Sequence, residues 1–149
     1  MMKKDKQGFT LLEMVLVLAI ITTMAGVLYP VSRQGMRGMT LQYTAQAFAG
    51  ELLRARLLAL TENSAIVVRV TQKAQSYQLL SAVDQSCLRG PERFLDKTIS
   101  FKQIPSREVV FHPWGTAAPA GSYLLGSAAG RINVVVSLTG RVRIERVKS

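Results

Sequence analysis

One long apolar run dominates the beginning of the chain. Residues 14–32 contain no charged residue, and Lys3, Lys4 and Lys6 precede the run. As a helix, residues 9–31 would extend about 35 Å, which is long enough to cross a lipid bilayer. Because positive charges mark the cytoplasmic end of such a helix, we expect the N-terminus in the cytoplasm and the rest of the chain outside it.

A second helical pattern follows a weak point for helices. Pro30 removes a backbone hydrogen bond and two nearby glycines lower helix propensity, so we expect a bend or a locally melted segment at residues 32–39. Over residues 40–62, apolar residues recur every three or four positions. These residues are Leu41, Ala45, Phe48, Leu52, Ala55 and Ala59. The stripe should pack on a globular domain, with Arg54 and Arg56 pointing away from most of it.

After Asn63-Ser64, which we expect to end the helix, the apolar period changes to two, as is typical of β-strands. Glycine and proline residues separate seven candidate strands. The candidates are Ala65–Thr71, Tyr77–Val83, Thr98–Ile104, Glu108–His112, Ser122–Leu125, Asn133–Ser137 and Gly140–Val147. The turn at Thr139-Gly140 predicts a hairpin that pairs residues 131–137 with 141–147. Short connections favour antiparallel pairing.

These patterns predict an α+β protein with a long N-terminal membrane-spanning helix. The C-terminal half of that helix should pack on an antiparallel β-rich head. We divide the 149 residues into a basic leader (1–8), a transmembrane helix (9–31), the second half of the helix (32–63) and the head (64–149). This length allows one small domain of roughly 85 residues beside the membrane helix.

The charge of the chain is strongly positive and uneven. The formal net charge is +10, of which the leader supplies +2, so +8 remains on residues 9–149. Near the C-terminus, one acid, Glu145, stands among five basic residues. These are Arg131, Arg141, Arg143, Arg146 and Lys148. Such an excess favours acidic partners such as nucleic acid or anionic lipid. Cys87 is the single cysteine, so the chain cannot form an internal disulfide.

No catalytic or metal-binding pattern stands out in the sequence. His112 is the only histidine and lies between Phe111 and Pro113, without a cysteine or acid at a metal-ligand spacing. We interpret His112 as a strand-end residue and Trp114 as an anchor beside a turn. The chain also lacks a phosphate loop and a serine–histidine–acid pattern. We therefore expect no cofactor, no small-molecule substrate and no enzymatic activity.

The segment Gly-Phe-Thr-Leu-Leu-Glu at residues 8–13 places a lone acid at the head of the apolar run. A carboxylate inside hydrocarbon costs about 2.5–3.5 kcal/mol and therefore needs a partner. With its basic leader, this segment resembles the signal of type IV pilins and type II secretion pseudopilins. The resemblance implies that a prepilin peptidase cuts after Gly8 and methylates the new N-terminus, Phe9. It also implies that Glu13 neutralises the N-terminal amine of a neighbouring subunit.

Two other interpretations explain less of this segment. An ordinary secretory signal, with its small-residue cleavage site at residues 23–25, does not account for Glu13 near the start of the apolar stretch. An uncleaved anchor helix accounts for the span but not for the junction between Gly8 and Phe9. A pilin-type signal accounts for leader, junction and acid together.

Residues 110–115 and 134–143 resemble the pseudopilin H (GspH) and FimT-like branch of minor pilins. Some members of that branch bind DNA through a Gly-Arg-x-Arg motif, which maps onto residues 140–143. In a strand, Arg141 and Arg143 would share one face about 7 Å apart, a spacing that suits successive phosphates. Arg131, Arg146 and Lys148 would extend this patch. Alternatively, these arginines only protect an exposed edge from pairing with other strands.

The resemblance implies a minor subunit of a type II secretion pseudopilus or a type IV pilus, assembled near the filament tip. It would cross the inner membrane once, with a periplasmic head, before it enters a periplasmic or surface filament. Its partners would be prepilin peptidase, other pilin or pseudopilin subunits and the inner membrane. The alternative is a pilus-borne DNA-binding subunit for DNA uptake, and neighbouring secretion or pilus genes would distinguish the two.

Overall fold

The computed structural model describes residues 10–84 and 90–147, except for the side chains of residues 26–35 and 37. The chain divides into two compact units. The N-terminal unit ends at Met36, and the C-terminal unit begins at Arg37 and contains all the strands.

One helix, α1 (Leu11–Thr61), has 51 residues. It ends in a Schellman motif, in which the Ser64 N–H donates to the Ala59 carbonyl at 3.3 Å. Asn63 supplies the left-handed residue of this motif, with a φ of 47°. Asparagine tolerates this conformation because its short polar side chain bonds locally. The predicted end of the helix at Asn63-Ser64 is therefore confirmed.

The backbone of α1 is helical across residues 32–39, so the locally melted segment allowed for in the sequence analysis is not observed. Pro30 removes one backbone hydrogen bond and its ring crowds the preceding turn, at a cost of about 3 kcal/mol, and each glycine costs about 1 kcal/mol relative to alanine. Penalties of this size weaken a long helix but do not have to interrupt it.

Nine strands follow the helix within the described residues. They are β1 (Ile66–Thr71), β2 (Ser76–Ser81), β3 (Arg93–Phe94), β4 (Ser100–Gln103), β5 (Val109–Phe111), β6 (Ala117–Ala118), β7 (Gly121–Ser127), β8 (Gly130–Val136) and β9 (Val142–Val147). All seven candidate strands are confirmed as elements. The two that sequence analysis missed, β3 and β6, have two residues each, which is too short for an alternating pattern to be seen.

The strands form two antiparallel sheets. The first has the order β3-β2-β1-β5-β6, and the second has the order β4-β7-β8-β9. The predicted C-terminal hairpin is β8–β9, in which Val136 pairs with Val142 and Arg131 pairs with Val147. This register confirms the predicted pairing and leaves β9 as an edge strand of the second sheet.

Phe48 of α1 lies at the centre of the core and contacts both sheets. Its ring packs edge-to-face on Tyr77 of the first sheet at 5.0 Å between centroids. It packs in the same way on Phe101 at 5.4 Å and on Tyr123 at 5.0 Å, both in the second sheet. The whole apolar stripe predicted for this part of α1 is buried in the same core. One helical stripe therefore covers the inner faces of two sheets.

Candidate functional sites at the helix start and the paired turns

The beginning of α1 exposes apolar side chains on all its faces. The exposed ones are Leu11, Leu12, Met14, Val15, Leu16, Val17, Leu18, Ile20, Ile21 and Met24. Glu13 is the only charged residue within residues 10–25. A helix that is apolar on every side is typical of a membrane or of a packed bundle rather than of a surface in water. We call residues 11–25 the apolar segment.

Thr10 caps the start of the helix. The Glu13 backbone N–H donates to Thr10 Oγ1 at 3.3 Å, so Thr10 is the N-cap and Glu13 is the third helical residue. Threonine and glutamate at this spacing are the signature of a capping box. A negative side chain in the first turn also interacts favourably with the helix dipole.

The predicted processing site, Gly8 and Phe9, lies outside the described residues, so cleavage and methylation stay predictions. In the part of the chain that the structure describes, no helix combines the length and the hydropathy of a membrane crossing. The predicted span of residues 9–31 includes residues 26–31, whose side chains are not described.

The turn between β8 and β9 is closed by its backbone. The Gly140 N–H donates to the Ser137 carbonyl at 2.9 Å, and the Ser137 N–H donates to the Arg141 carbonyl at 3.0 Å. Gly140 has a φ of 72°, a left-handed conformation that glycine adopts without strain. This turn places the exposed side chain of Arg141 directly before β9.

A second turn of the same form precedes β6. The Gly115 N–H donates to the His112 carbonyl at 2.9 Å, and Gly115 has a φ of 84°. The two turn glycines lie against each other, because a Cβ atom added to Gly140 would clash with the Gly115 carbonyl oxygen. We call residues 112–115 and 137–140 the paired turns.

Arg56 lies beneath the paired turns. A Cβ atom on Gly140 would be 3.1 Å from Arg56 Nε, and one on Gly115 would be 3.5 Å from Arg56 Nη2. Arg56 Nε is buried and has no hydrogen-bond acceptor among the described residues. Arg56 is therefore half-buried whereas Arg54 is exposed, a difference that helical periodicity does not reveal because it does not show how far loops extend over a helix.

Trp114, interpreted from the sequence as an anchor beside a turn, does lie in a turn but is not held there by burial. Its side chain is 70% exposed. Its ring stacks on that of His112, with centroids 4.8 Å apart and planes 2° from parallel. His112 directly follows β5, in agreement with its interpretation as a strand-end residue.

The five basic residues predicted to form one patch occupy different places. Arg141 and Arg143 are both exposed at the turn end of the hairpin. Arg131 is paired with Val147 at the other end of the hairpin. At roughly 3.4 Å per residue, this end lies about 17 Å along β8 from Val136, which is beside the turn. Lys148 lies outside the described residues.

Arg146 lies on the opposite face of β9 from Arg143. Side chains alternate along a strand, so Arg146 shares the face of Val142, which packs against the core. Its Nη2 atom donates to Gln42 Oε1 of α1 at 2.6 Å. Arg146 therefore does not extend the patch, whereas the acid Glu145 does share the face of Arg143.

Arg69 and Arg93 of the C-terminal unit are each paired with an acid. Arg69 donates to Glu108 at 2.6 Å, and this hydrogen bond raises the pKa of the Arg69 guanidinium. Arg93 lies 3.0 Å from Glu51. Arg141 and Arg143, in contrast, have no ion pair within residues 10–84 and 90–147. The same residues contain no group of three histidines, cysteines or acids that could hold a metal ion.

Comparisons with known proteins agree with this geometry. Residues 3–29 match the family described as the prokaryotic N-terminal methylation motif. The pilin-like protein PilA1 of Thermus thermophilus is 29% identical, over 94% of this chain and 99% of that protein. The minor pseudopilin EpsH of the Vibrio cholerae type 2 secretion system has a TM-score of 0.59 at 12% identity, covering 71% of this chain and 96% of that one. This chain is therefore similar to type IV pilin-like proteins.

A second solved structure shares the fold of this pilin-like chain. The type IV minor pilin FimU of Pseudomonas aeruginosa has a TM-score of 0.57 at 19% identity, covering 70% of this chain and 87% of that one. The family resemblance and the α+β fold that we inferred from the sequence are thus confirmed.

Sequence analysis missed two features of the pilin-like chain. The N-cap was readable, since Thr10 directly precedes the apolar run of the helix. The contact between Gly115 and Gly140 was not readable, because no local pattern links two turns that lie far apart in the sequence.

Proposed function

We propose that this pilin-like chain is a minor subunit of a type II secretion pseudopilus or a type IV pilus, assembled near the filament tip. The observation that carries the proposal is the exposed apolar segment with Glu13 at its start. A surface of this kind needs lipid before assembly and neighbouring helices afterwards. The likeness to the minor pseudopilin EpsH and the minor pilin FimU supports a minor rather than a major subunit. The chain acts by assembly and not by catalysis.

Prepilin peptidase prepares the chain for this role. It removes residues 1–8 and methylates Phe9, and the helix then holds the chain in the inner membrane with a periplasmic head. The match to the methylation motif over residues 3–29 supports this step. Replacing Gly8 with valine should leave the precursor uncut, which intact mass would show as retention of the leader. A mature chain that begins at Gly26 would instead indicate an ordinary secretory signal.

Glu13 pairs with the N-terminal amine of a neighbouring subunit in the filament. A carboxylate in an apolar assembly is costly without a cation. The amine created by cleavage before Phe9 supplies that cation. Capping alone does not require a charge, because glutamine is also found at this position of the capping box.

Two substitutions separate the charge of Glu13 from its capping role. Glu13→Gln keeps a capping-box residue without the charge, and Glu13→Val removes both. We expect both variants to insert, since neither carries a carboxylate into the membrane, and to be cleaved before Phe9, since Gly8 is unchanged. Both should be nearly absent from sheared filaments, as quantified by immunoblot against the cell-bound fraction. Normal incorporation of the glutamine variant would show that only the cap matters.

A second candidate function is DNA binding by Arg141 and Arg143. The observation that favours it is their exposure side by side at the turn end of the hairpin, without an acidic partner among the described residues. Contacts to phosphates would give affinity without sequence preference, because they release counterions but do not read bases.

The test compares this pair with two basic residues at the far end of the first sheet. Lys73 and Arg107 are exposed and lie near the end where Thr71 pairs with Ser76, away from the paired turns. Each arginine lost from the hairpin should weaken binding and reduce the salt dependence by about one unit of slope. Arg141→Ala with Arg143→Ala should therefore cost far more affinity than Lys73→Ala with Arg107→Ala. Equal losses, or no binding at low salt, would leave only the filament subunit.

A further inference from the structure

The large apolar side chain of Trp114 is exposed to solvent, and packing against the described residues does not account for this exposure. Tryptophan is highly buried on average, yet this side chain is 70% exposed. One face of the ring stacks on His112, so the exposed area includes the other face. A flat aromatic face held toward solvent is the shape that a second planar ring stacks on.

The turn holds this ring in place before any ligand binds. Pro113 has a fixed φ, and Gly115 is buried and hydrogen-bonded to the His112 carbonyl. His112 supports the ring from behind. A side chain that is already ordered loses little entropy on binding, and more of the contact energy then appears as affinity.

Two arginines lie at the paired turns that carry the exposed ring. Trp114 precedes Gly115 and Arg141 follows Gly140, and these two glycines are in contact. Arg56 adds a second guanidinium beneath the same glycines. Residues 112–116 and 137–141 contain no acid. A planar apolar face beside cations matches the two parts of a nucleotide, which are a flat base and an anionic phosphate.

We propose that Trp114 stacks an unpaired base of single-stranded DNA while Arg141 binds a neighbouring phosphate. This inference rests on the second candidate function, DNA binding, and adds a preference for single-stranded DNA to it. Bases within a duplex stack on each other and offer no free face, so the site selects single strands. Stacking does not read hydrogen-bonding edges, and the site therefore accepts every base.

The experiment uses the full-length chain in non-ionic detergent micelles at fixed low salt. Trp114 is the only tryptophan, so its fluorescence reports on its own ring. A thymidine oligonucleotide should quench this fluorescence, and an abasic oligonucleotide with the same phosphates should not. By fluorescence anisotropy of labelled strands, the abasic strand and the duplex should bind at least about fivefold more weakly, which is the lower end for loss of one stacked base.

Phe94 provides a matched control for Trp114. It is also an exposed aromatic residue, at 67%, but lies on β3 at the edge of the first sheet. Trp114→Ala should abolish the difference between thymidine and abasic strands, and Trp114→Phe should keep most of it. Phe94→Ala should leave both affinities unchanged.

Three results would overturn the stacking proposal in distinguishable ways. Equal affinity of the unmodified chain for thymidine and abasic strands would refute base stacking and leave phosphate binding by Arg141 intact. No binding of any DNA would refute the second candidate function as well, without affecting the filament subunit. If Trp114→Ala leaves DNA binding unchanged but prevents filament incorporation, the ring is a contact for a neighbouring subunit.

Discussion

The two ends of α1 have the same secondary structure but different sources of stability. In the apolar segment at residues 11–25, apolar side chains are exposed on all faces. Between residues 41 and 59, one apolar stripe is buried against two sheets while the opposite face is exposed. Tertiary packing stabilises the second region, because it supplies most of the stability of helices in proteins. In the proposed function, lipid or other subunits cover the apolar segment, so apolar residues in the two regions have different physical roles.

Truncating one apolar residue in each region tests this difference most strongly. Phe48→Ala removes a buried ring that contacts both sheets and should lower the free energy of unfolding of the C-terminal unit by about 3–5 kcal/mol. Leu16→Ala in the apolar segment removes a side chain that is 57% exposed and should leave that free energy unchanged. Chemical denaturation in detergent, followed by near-ultraviolet circular dichroism, would measure both. Similar losses would show that the two regions do not differ as described.

Glycine substitutions sharpen the comparison between the exposed face of α1 and the paired turns. Gly140→Ala places an alanine in a left-handed conformation and against the Gly115 carbonyl, at a cost of about 1–3 kcal/mol or more. Gly50 on α1 has open space around it, and Gly50→Ala should stabilise the same unit by about 0.5–1 kcal/mol. Thermal unfolding should therefore shift in opposite directions. A stabilising Gly140→Ala would mean that the turns are not in contact.

A smaller effect, on the free energy of unfolding at high pH, tests whether Tyr123 is buried beside Phe48. Burial, followed by the charge of Glu108, raises the pKa of Tyr123 above its ordinary value of 10.0. Below pH 10, Tyr123 is protonated in both states and stability does not depend on its titration. Above pH 10, only the unfolded state loses this proton, so stability should fall by up to about 1.4 kcal/mol per pH unit. Tyr123→Phe should reduce this slope, as measured by denaturation at pH 9, 10 and 11.

Burial also raises the pKa of Tyr77, with a further contribution from Glu51 and an opposing one from Arg93. Some of the alkaline slope should therefore persist in the Tyr123→Phe variant. An unchanged slope after the substitution would mean that Tyr123 titrates normally and is not enclosed beside Phe48.

Much of this structure was predictable because its signals are local. The stripe from Leu41 to Ala59 follows the helical period, and Asn63-Ser64 marks the helix end. The β8–β9 register follows from a two-residue alternation and a turn glycine at position 140. The arginine patch was predicted less well. The alternation of side chains along a strand would have placed Arg146 and Arg143 on different faces of β9. The two residues were instead grouped by their shared positive charge.

By itself, the sequence determined the apolar segment, its N-cap, the helix end, the seven longer strands and the C-terminal hairpin. Each of these features depends on residues within one or two helical turns or within one hairpin. At such short range, the spacing of residues in the sequence determines their positions in the structure. The tertiary structure alone decided that the strands divide into two sheets and that Gly115 lies against Gly140. It also decided that Arg56 lies beneath the paired turns, and that Arg146 reaches Gln42, 104 positions earlier in the chain. These contacts depend on how separate elements pack, and packing is set by the whole core rather than by any local spacing.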